Sequence, residues 1–157
     1  MPHATVLDVM LILTRDEHVL LAQRQGTGYA DGQWNLPSGK VEPAEHAEAA
    51  IIREAHEEIG IRLDPTRLTP VGAVHYRNPE GHTRLGLFYT TPAEPSIQGE
   101  PFNAEPHKCA KIGWFPLDLL PHNTVPYTAA GISLYLHDKR LVMAGWQPHL
   151  ASRAAAT

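Results

Sequence analysis

Apolar positions fall into runs whose spacing predicts the elements. Ala4–Thr14 and His18–Gln23 are strand-like stretches separated by Arg15, Asp16 and Glu17, and they read as a hairpin. The glycine-rich segment Gly26–Gly32 has too many glycines for a regular element, and Trp34–Pro37 resumes as a short extended piece. Ala44–Ile59 contains neither Gly nor Pro and is rich in Ala, Glu and Ile, which predicts a helix with Pro43 at its start and Gly60 as its left-handed stop. Leu68–Tyr76 and Thr83–Thr91 read as a second hairpin around Asn78–Gly81. The two prolines of Gly99–Pro106 mark a loop leading to a strand at Lys111–Phe115. Thr124 is placed to cap a last helix from Pro126 to about Asp138, and the Ala-rich end after Leu150 is expected to fray. The expected architecture is a mixed sheet with helices on its faces, of the α/β (α+β) class.

At 157 residues and 43% hydrophobic, the chain suits a single domain with a core over about residues 4–148. Its longest apolar stretch is far shorter than the ~20 residues of a bilayer span. The start lacks the basic, apolar and small-residue pattern of a secretory leader, so a cytoplasmic location away from membranes is expected. The single cysteine, Cys109, can form no internal disulfide and reads as a structural thiol. A net charge of −4 without a Lys/Arg run argues against a nucleic-acid polymer as partner. Small anionic ligands stay open if a metal ion brings positive charge. The ten histidines are scattered and form no ligand pattern.

One helix face changes the picture. At ~100° per residue, Glu54, Glu57 and Glu58 fall within about 100° of arc, while Ile51, Ile52, Ala55 and Ile59 gather elsewhere. Carboxylates that close repel one another. Either the face is an ordinary solvated one or a cation compensates, and hard oxygen ligands point to Mg²⁺ or Mn²⁺.

The wider context is more specific. Gly39, five residues, Glu45, seven residues, then Arg53-Glu54-Ala55-His56-Glu57-Glu58-Ile59-Gly60-Ile61 resembles the Nudix box at every fixed position. Ala55 stands where the family usually has a larger aliphatic residue. The Leu-Ala-Gln-Arg and Trp-Asn-Leu-Pro-Ser-Gly segments upstream, and Gly-Glu-Pro and Gly-Trp-Phe-Pro-Leu-Asp downstream, extend the similarity over most of the chain. The resemblance, to the MutT-like nucleoside triphosphate diphosphatase branch of the Nudix hydrolases, implies the Nudix fold. It also implies metal binding by Glu54, Glu57 and Glu58 with the backbone carbonyl of Ser38. Arg53 would orient these carboxylates, Glu45 would stand behind them or at the helix start, and Glu54 would orient or deprotonate the attacking water. Glu100 matches an additional metal-binding or catalytic carboxylate of MutT-like members, with Glu105 in the same loop as its competitor.

Substrate contacts are expected at Arg24, Asn35, Gly39, Lys40 and Tyr127. Arg24 resembles a phosphate-reaching position, though it also suits a strand-end charge. Asn35 resembles a base-reading asparagine, or else caps its loop. Tyr127 stacks on a base or belongs to the core. The acidic pair that completes oxidised-purine recognition in relatives is missing from Thr124–Thr128.

The Gly99–Cys109 segment is similar to a loop of nucleoside triphosphate diphosphatases. This similarity favours hydrolysis of a ribo- or deoxynucleoside triphosphate, with an ordinary or a modified base, to the monophosphate and pyrophosphate. ADP-ribose, nucleotide sugars and dinucleoside polyphosphates are the alternative substrates, although His75 occupies the place of a proline that marks many ADP-ribose hydrolases. A ligand-sensing module or a prenyl diphosphate isomerase is the alternative outside hydrolysis. Similar proteins are commonly homodimers.

Overall fold

The computed structural model describes residues 1–146. The first hairpin joins β1 (Val6–Arg15) to β2 (His18–Arg24). Arg15 pairs directly with His18, leaving a two-residue turn, and both Asp16 (φ 49°) and Glu17 (φ 61°) take the left-handed conformation that such a turn demands. There follow β3 (Trp34–Asn35), β4 (Ser38–Lys40), α1 (Ala47–Ile59) and β5 (Arg62–Leu63). The second hairpin is β6 (Thr69–Arg77) with β7 (Thr83–Pro92). A helical turn α2 (Ala93–Ser96), then β8 (Ile97–Gln98), β9 (Cys109–Pro116), α3 (Pro126–Leu136) and β10 (Leu141–Ala144) complete the order.

Eight strands form one mixed sheet in the order β10-β6-β7-β1-β2-β3, with β4 also on β1 and β9 also on β2; β5 and β8 pair separately. Strand β1 runs parallel to β7 from Val6 opposite Arg84 to Thr14 opposite Pro92. On its other edge it meets β2 only at Thr14 and Arg15, and β4 at Asp8–Met10. The hairpin partner has therefore peeled away from β1, and the opened edge is taken by β4, which carries Gly39.

Alternation along β1 feeds two cores. Met10 and Ile12 pack with Phe88, Tyr127, Ile132 and Leu134 beneath α3, while Val9, Leu11 and Leu13 pack with Ala50, Ile51, Ala55 and Ile59 of α1. The helices cover opposite faces of the sheet, as the sequence led us to expect.

Some boundaries differ from expectation. Helix α1 begins at Ala47, not Ala44, because Ala44 has φ 64° and cannot continue a right-handed helix. His46 caps it instead, its Nδ1 accepting from the Ala49 N–H at 3.1 Å. The stop is as expected: Gly60 has φ 69° and its N–H reaches the His56 carbonyl. Thr124 does not cap α3. Its hydroxyl donates to the Pro121 carbonyl at 2.6 Å, and Val125 precedes the helix without a side-chain cap. Pro126 at the first helical position has no N–H to satisfy, which reduces the need for one. Helix α3 ends at Leu136; Asp138 has φ 51°. The tail after Leu150, expected to fray, lies outside the described residues.

Candidate active site

Apolar positions of α1 dock on the sheet and turn Glu54, Glu57 and Glu58 toward β4. A Cβ on Gly39 would overlap the carboxyl group of Glu54, so only glycine allows helix and strand to approach this closely with Glu54 between them. Glu58 is part-buried and accepts from the Ser38 N–H at 3.0 Å. Burial pushes its pKa well above the ordinary carboxylate value, with neighbouring Glu54 and Glu105 adding to the rise. Burial also raises Glu54, against the opposing pull of Arg53. Glu57 is half-exposed at the rim.

Arg53 ties the group together. Its Nε donates to Glu45 Oε2 at 2.8 Å and Nη2 to Glu45 Oε1 at 2.9 Å, a two-pronged pair. Its Nη1 donates to Glu54 at 2.8 Å and to Glu57 at 3.3 Å, and Nη2 also reaches the Lys40 carbonyl at 3.2 Å. The guanidinium beside Glu45, helped by the Glu42 N–H, holds the Glu45 carboxyl down to about 2. Glu45 is free for this task because the helix starts two residues after it.

Two lobes open around these carboxylates. One, of about 610 Å³, is lined by Glu54, Glu57, Glu58, Lys40, Arg84 and Tyr127 among others. The second, of about 480 Å³, runs along Gln23, Gly26, Leu36 and His107. Arg24, Asn35, Ser38, Glu58, Glu105 and Lys108 border both, so the lobes meet at Glu58. Such volumes suit a nucleotide-sized ligand.

The NUDIX domain family matches residues 4–134. The chain belongs to the Nudix family. It is 37% identical over 81 residues to an 8-oxo-dGTP diphosphatase of Proteus vulgaris, covering 52% of this chain and 70% of that one. It is 45% identical over 53 residues to the CTP pyrophosphohydrolase of Escherichia coli K12, a match spanning 34% of this chain and 39% of that protein. Its fold superposes on the crystal structure of a MutT NUDIX hydrolase from Burkholderia pseudomallei with a TM-score of 0.76 at 30% identity, covering 84% of this chain and 98% of that one. It is a Nudix hydrolase, an enzyme acting on phosphorus-containing anhydrides.

Within this Nudix fold, Arg53, Glu54, Glu57, Glu58, Ser38, Gly39, Lys40, Arg24, Asn35 and Tyr127 border one continuous cleft. Among the described residues no three of His, Cys, Asp or Glu already stand in a grip on an ion. The residues nevertheless fit a hard divalent cation. All the donors are oxygens, and two desolvated carboxylates lie side by side with raised proton affinity, the condition that a cation relieves.

Glu100 departs from expectation. It accepts from Arg15 Nη1 at 2.9 Å on the far side of the loop and borders neither lobe. Glu105, from the same loop, borders both lobes. The N–H groups of Phe102 and Ala104 bind the last carbonyls of α1, at Ile59 and Glu58, and fold the loop so that Glu105 faces Glu58. Arg24 leans on its own loop, Nε donating to the Tyr29 carbonyl at 2.8 Å. Asn35 Oδ1 accepts from the Leu36 N–H and the Thr128 hydroxyl, while its Nδ2 faces Ser38. Tyr127 is buried and stacked on Tyr76 with ring centroids 4.6 Å apart, only its edge reaching the cleft.

Sequence reasoning missed the Asp8–Arg84 ion pair, closed at 2.7 Å, which also borders the larger lobe. A lone carboxylate inside the otherwise apolar β1 was the available signal, since a buried charge needs a partner.

Proposed function

We propose that this Nudix hydrolase cleaves a nucleoside triphosphate, ribo or deoxy, to the nucleoside monophosphate and pyrophosphate, using Mg²⁺ or Mn²⁺. The observation that carries the reading is the part-buried Glu54–Glu58 pair, Glu54 held by Arg53 and Glu58 by the Ser38 N–H, at the junction of two lobes bordered by Arg24, Lys40 and Lys108. The activities named for the Proteus vulgaris and Escherichia coli relatives, on 8-oxo-dGTP and CTP, support the same substrate class.

Glu54, Glu57 and Glu58, with the Ser38 carbonyl, would hold the divalent ion, which when bound neutralises phosphate oxygens and makes water in its reach more acidic. Glu54 takes the proton from the attacking water. Arg53 fixes its orientation by donating to Glu54 at 2.8 Å, which keeps the carboxylate in place for the transfer. The water oxygen bonds to phosphorus as the bridging P–O bond breaks, and the two products separate. Arg24, Lys40 and Lys108 balance the negative charge of the polyphosphate.

The test is product analysis on a panel of nucleoside triphosphates with Mg²⁺, with chelator, and with Glu57→Gln. Equal yields of monophosphate and pyrophosphate, abolished by chelator and reduced on the order of 10²–10⁴-fold in the variant, are expected. Turnover confined to ADP-ribose, nucleotide sugars or dinucleoside polyphosphates would replace the substrate class, and inactivity on every compound would remove the reading.

A further inference from the structure

We infer that Arg84 reads the nucleobase at the floor of the larger lobe, held as a fixed hydrogen-bond donor by Asp8 and Tyr127. The inference rests on the cleft being a nucleotide site and assigns its base-reading end.

Asp8 is the one buried carboxylate of β1. Arg84 Nε donates to its Oδ2 at 2.7 Å and Arg84 Nη2 to its Oδ1 at 2.8 Å, while the Tyr127 hydroxyl donates to Oδ2 at 3.1 Å. Both carboxylate oxygens are therefore used. The guanidinium has five N–H groups, and these bonds use two of them. Among the described residues the remaining N–H groups have no partner, and Arg84 lines the cleft. The result is a rigid, part-exposed donor plane whose free side faces the ligand space.

The fold sets Arg84 apart from the carboxylates that do the chemistry. Met10 of β1 packs beneath α3, and a Cβ on Gly86 would strike Tyr127 of α3. Asp8 and Arg84 share the parity of these two residues, so they lie on the α3 face of their strands. Glu54 instead approaches Gly39 from α1. The larger lobe is bordered by both groups, so a ligand occupying it spans the β4 edge, with one end at Glu54 and the other at Arg84.

Charge decides which end takes the base. Asp8 cancels the charge of Arg84, and a polyphosphate arriving there would meet the Asp8 carboxylate as well. A neutral base would meet a donor plane beside Tyr127, Val125, Met10 and the exposed ring of Tyr29, all of which border this lobe. A planar fork of N–H donors suits a base edge with two adjacent acceptors. Guanine offers O6 with N7 and cytosine offers O2 with N3; adenine and uracil have no such neighbouring pair. Oxidation of guanine at C8 converts N7 to an N–H and destroys the guanine pair.

The test measures equilibrium binding of GMP, CMP, AMP and UMP in chelator by calorimetry, and kcat/KM for the corresponding triphosphates and 8-oxo-dGTP with Mg²⁺. Wild type should favour guanine or cytosine by about tenfold or more, and Arg84→Met should collapse that preference toward unity, the favoured base losing about tenfold more than the others. Arg84→Lys, which keeps the charge and loses the fork, should not restore it. If guanine is the favoured base, 8-oxo-dGTP should be a poorer substrate than dGTP; if cytosine, the two should be equally poor. Because Arg84→Met strands a buried carboxylate, the double variant Asp8→Asn/Arg84→Met serves as the folded control and should show the same collapse. Equal loss on all four bases, an unchanged preference in both variants, or no preference in wild type would overturn the inference. Base-selective monophosphate binding without triphosphate turnover would sink the proposed function and leave this inference standing; turnover without base selectivity would do the reverse.

Discussion

Two arginines hold carboxylates in the same way at two separate places in the fold. Arg53 binds Glu45 and Glu54 at 2.8 Å, and Arg15 binds Glu94 and Glu100 with equally short contacts. The two arginine side chains are even equally exposed, at 24% each. What separates the clusters is the exposure of their partners. Glu45 and Glu54 are 15% and 13% exposed, whereas Glu94 and Glu100 are 66% and 71% exposed. Arg15 completes its surroundings by lying over the Trp114 ring, 4.6 Å from the centroid. Water screens the second cluster and is largely kept from the first. Short contact distances therefore do not distinguish the two clusters; the desolvation of the partner charges does.

The sharpest way to break this comparison is to remove each arginine. Arg53→Met frees Glu54 and Glu57 from their common tether and should lower kcat/KM on the order of a hundredfold. Arg15→Met should leave kcat/KM within about twofold and change stability by less than about 1 kcal/mol in denaturant melts. Comparable losses from the two would show that burial is the wrong criterion.

The loop carboxylates sharpen it next. Glu105→Gln, facing Glu58, should reduce kcat/KM about tenfold and raise the metal concentration needed for half-activity, while Glu100→Gln should alter neither. A metal requirement that moves with Glu100 would return the ligand role to it.

The smallest effect concerns stability. The folded-state pKa of Glu58 is raised by burial, so ionised Glu58 destabilises the metal-free fold. The stability present below the ordinary carboxylate value of 4.5 is lost as pH rises through the raised folded value. Glu58→Gln should melt a few degrees above wild type at pH 8 in chelator, and with no difference near pH 4. A variant that melts below wild type at pH 8 would mean that the ionised carboxylate is already compensated without metal.

Much of this was legible in the chain. The long strands announced themselves by apolar runs, and α1 by composition and its glycine stop. The acidic face of α1 survives into the structure because helical spacing alone puts Glu54, Glu57 and Glu58 together. The shorter strands β4, β5, β8 and β10, of two to four residues, carry too little pattern to detect, and their pairing depends on distant partners. Glu100 and Glu105 differ in placement only through how the loop folds against the last carbonyls of α1, which no local spacing encodes. Asp8 and Arg84 lie 76 positions apart and meet only because β1 and β7 run parallel in one particular register. The helix start was misjudged by three residues because Ala44 has high helical propensity yet sits in a left-handed turn that delivers Glu45 to Arg53.

Strand β1 contributes alternate side chains to both cores while lying between β7 on one edge and β2 and β4 on the other. A strand shared in this way gives neither layer its own melting unit. Loosening α1 exposes Val9, Leu11 and Leu13, whose backbone also carries Met10 and Ile12 for the opposite layer. The amides of Val9–Leu13 therefore belong to the slowest-exchanging class, released to solvent only when the whole sheet opens, and damage in either layer is felt as a loss of stability throughout the protein, within a single transition.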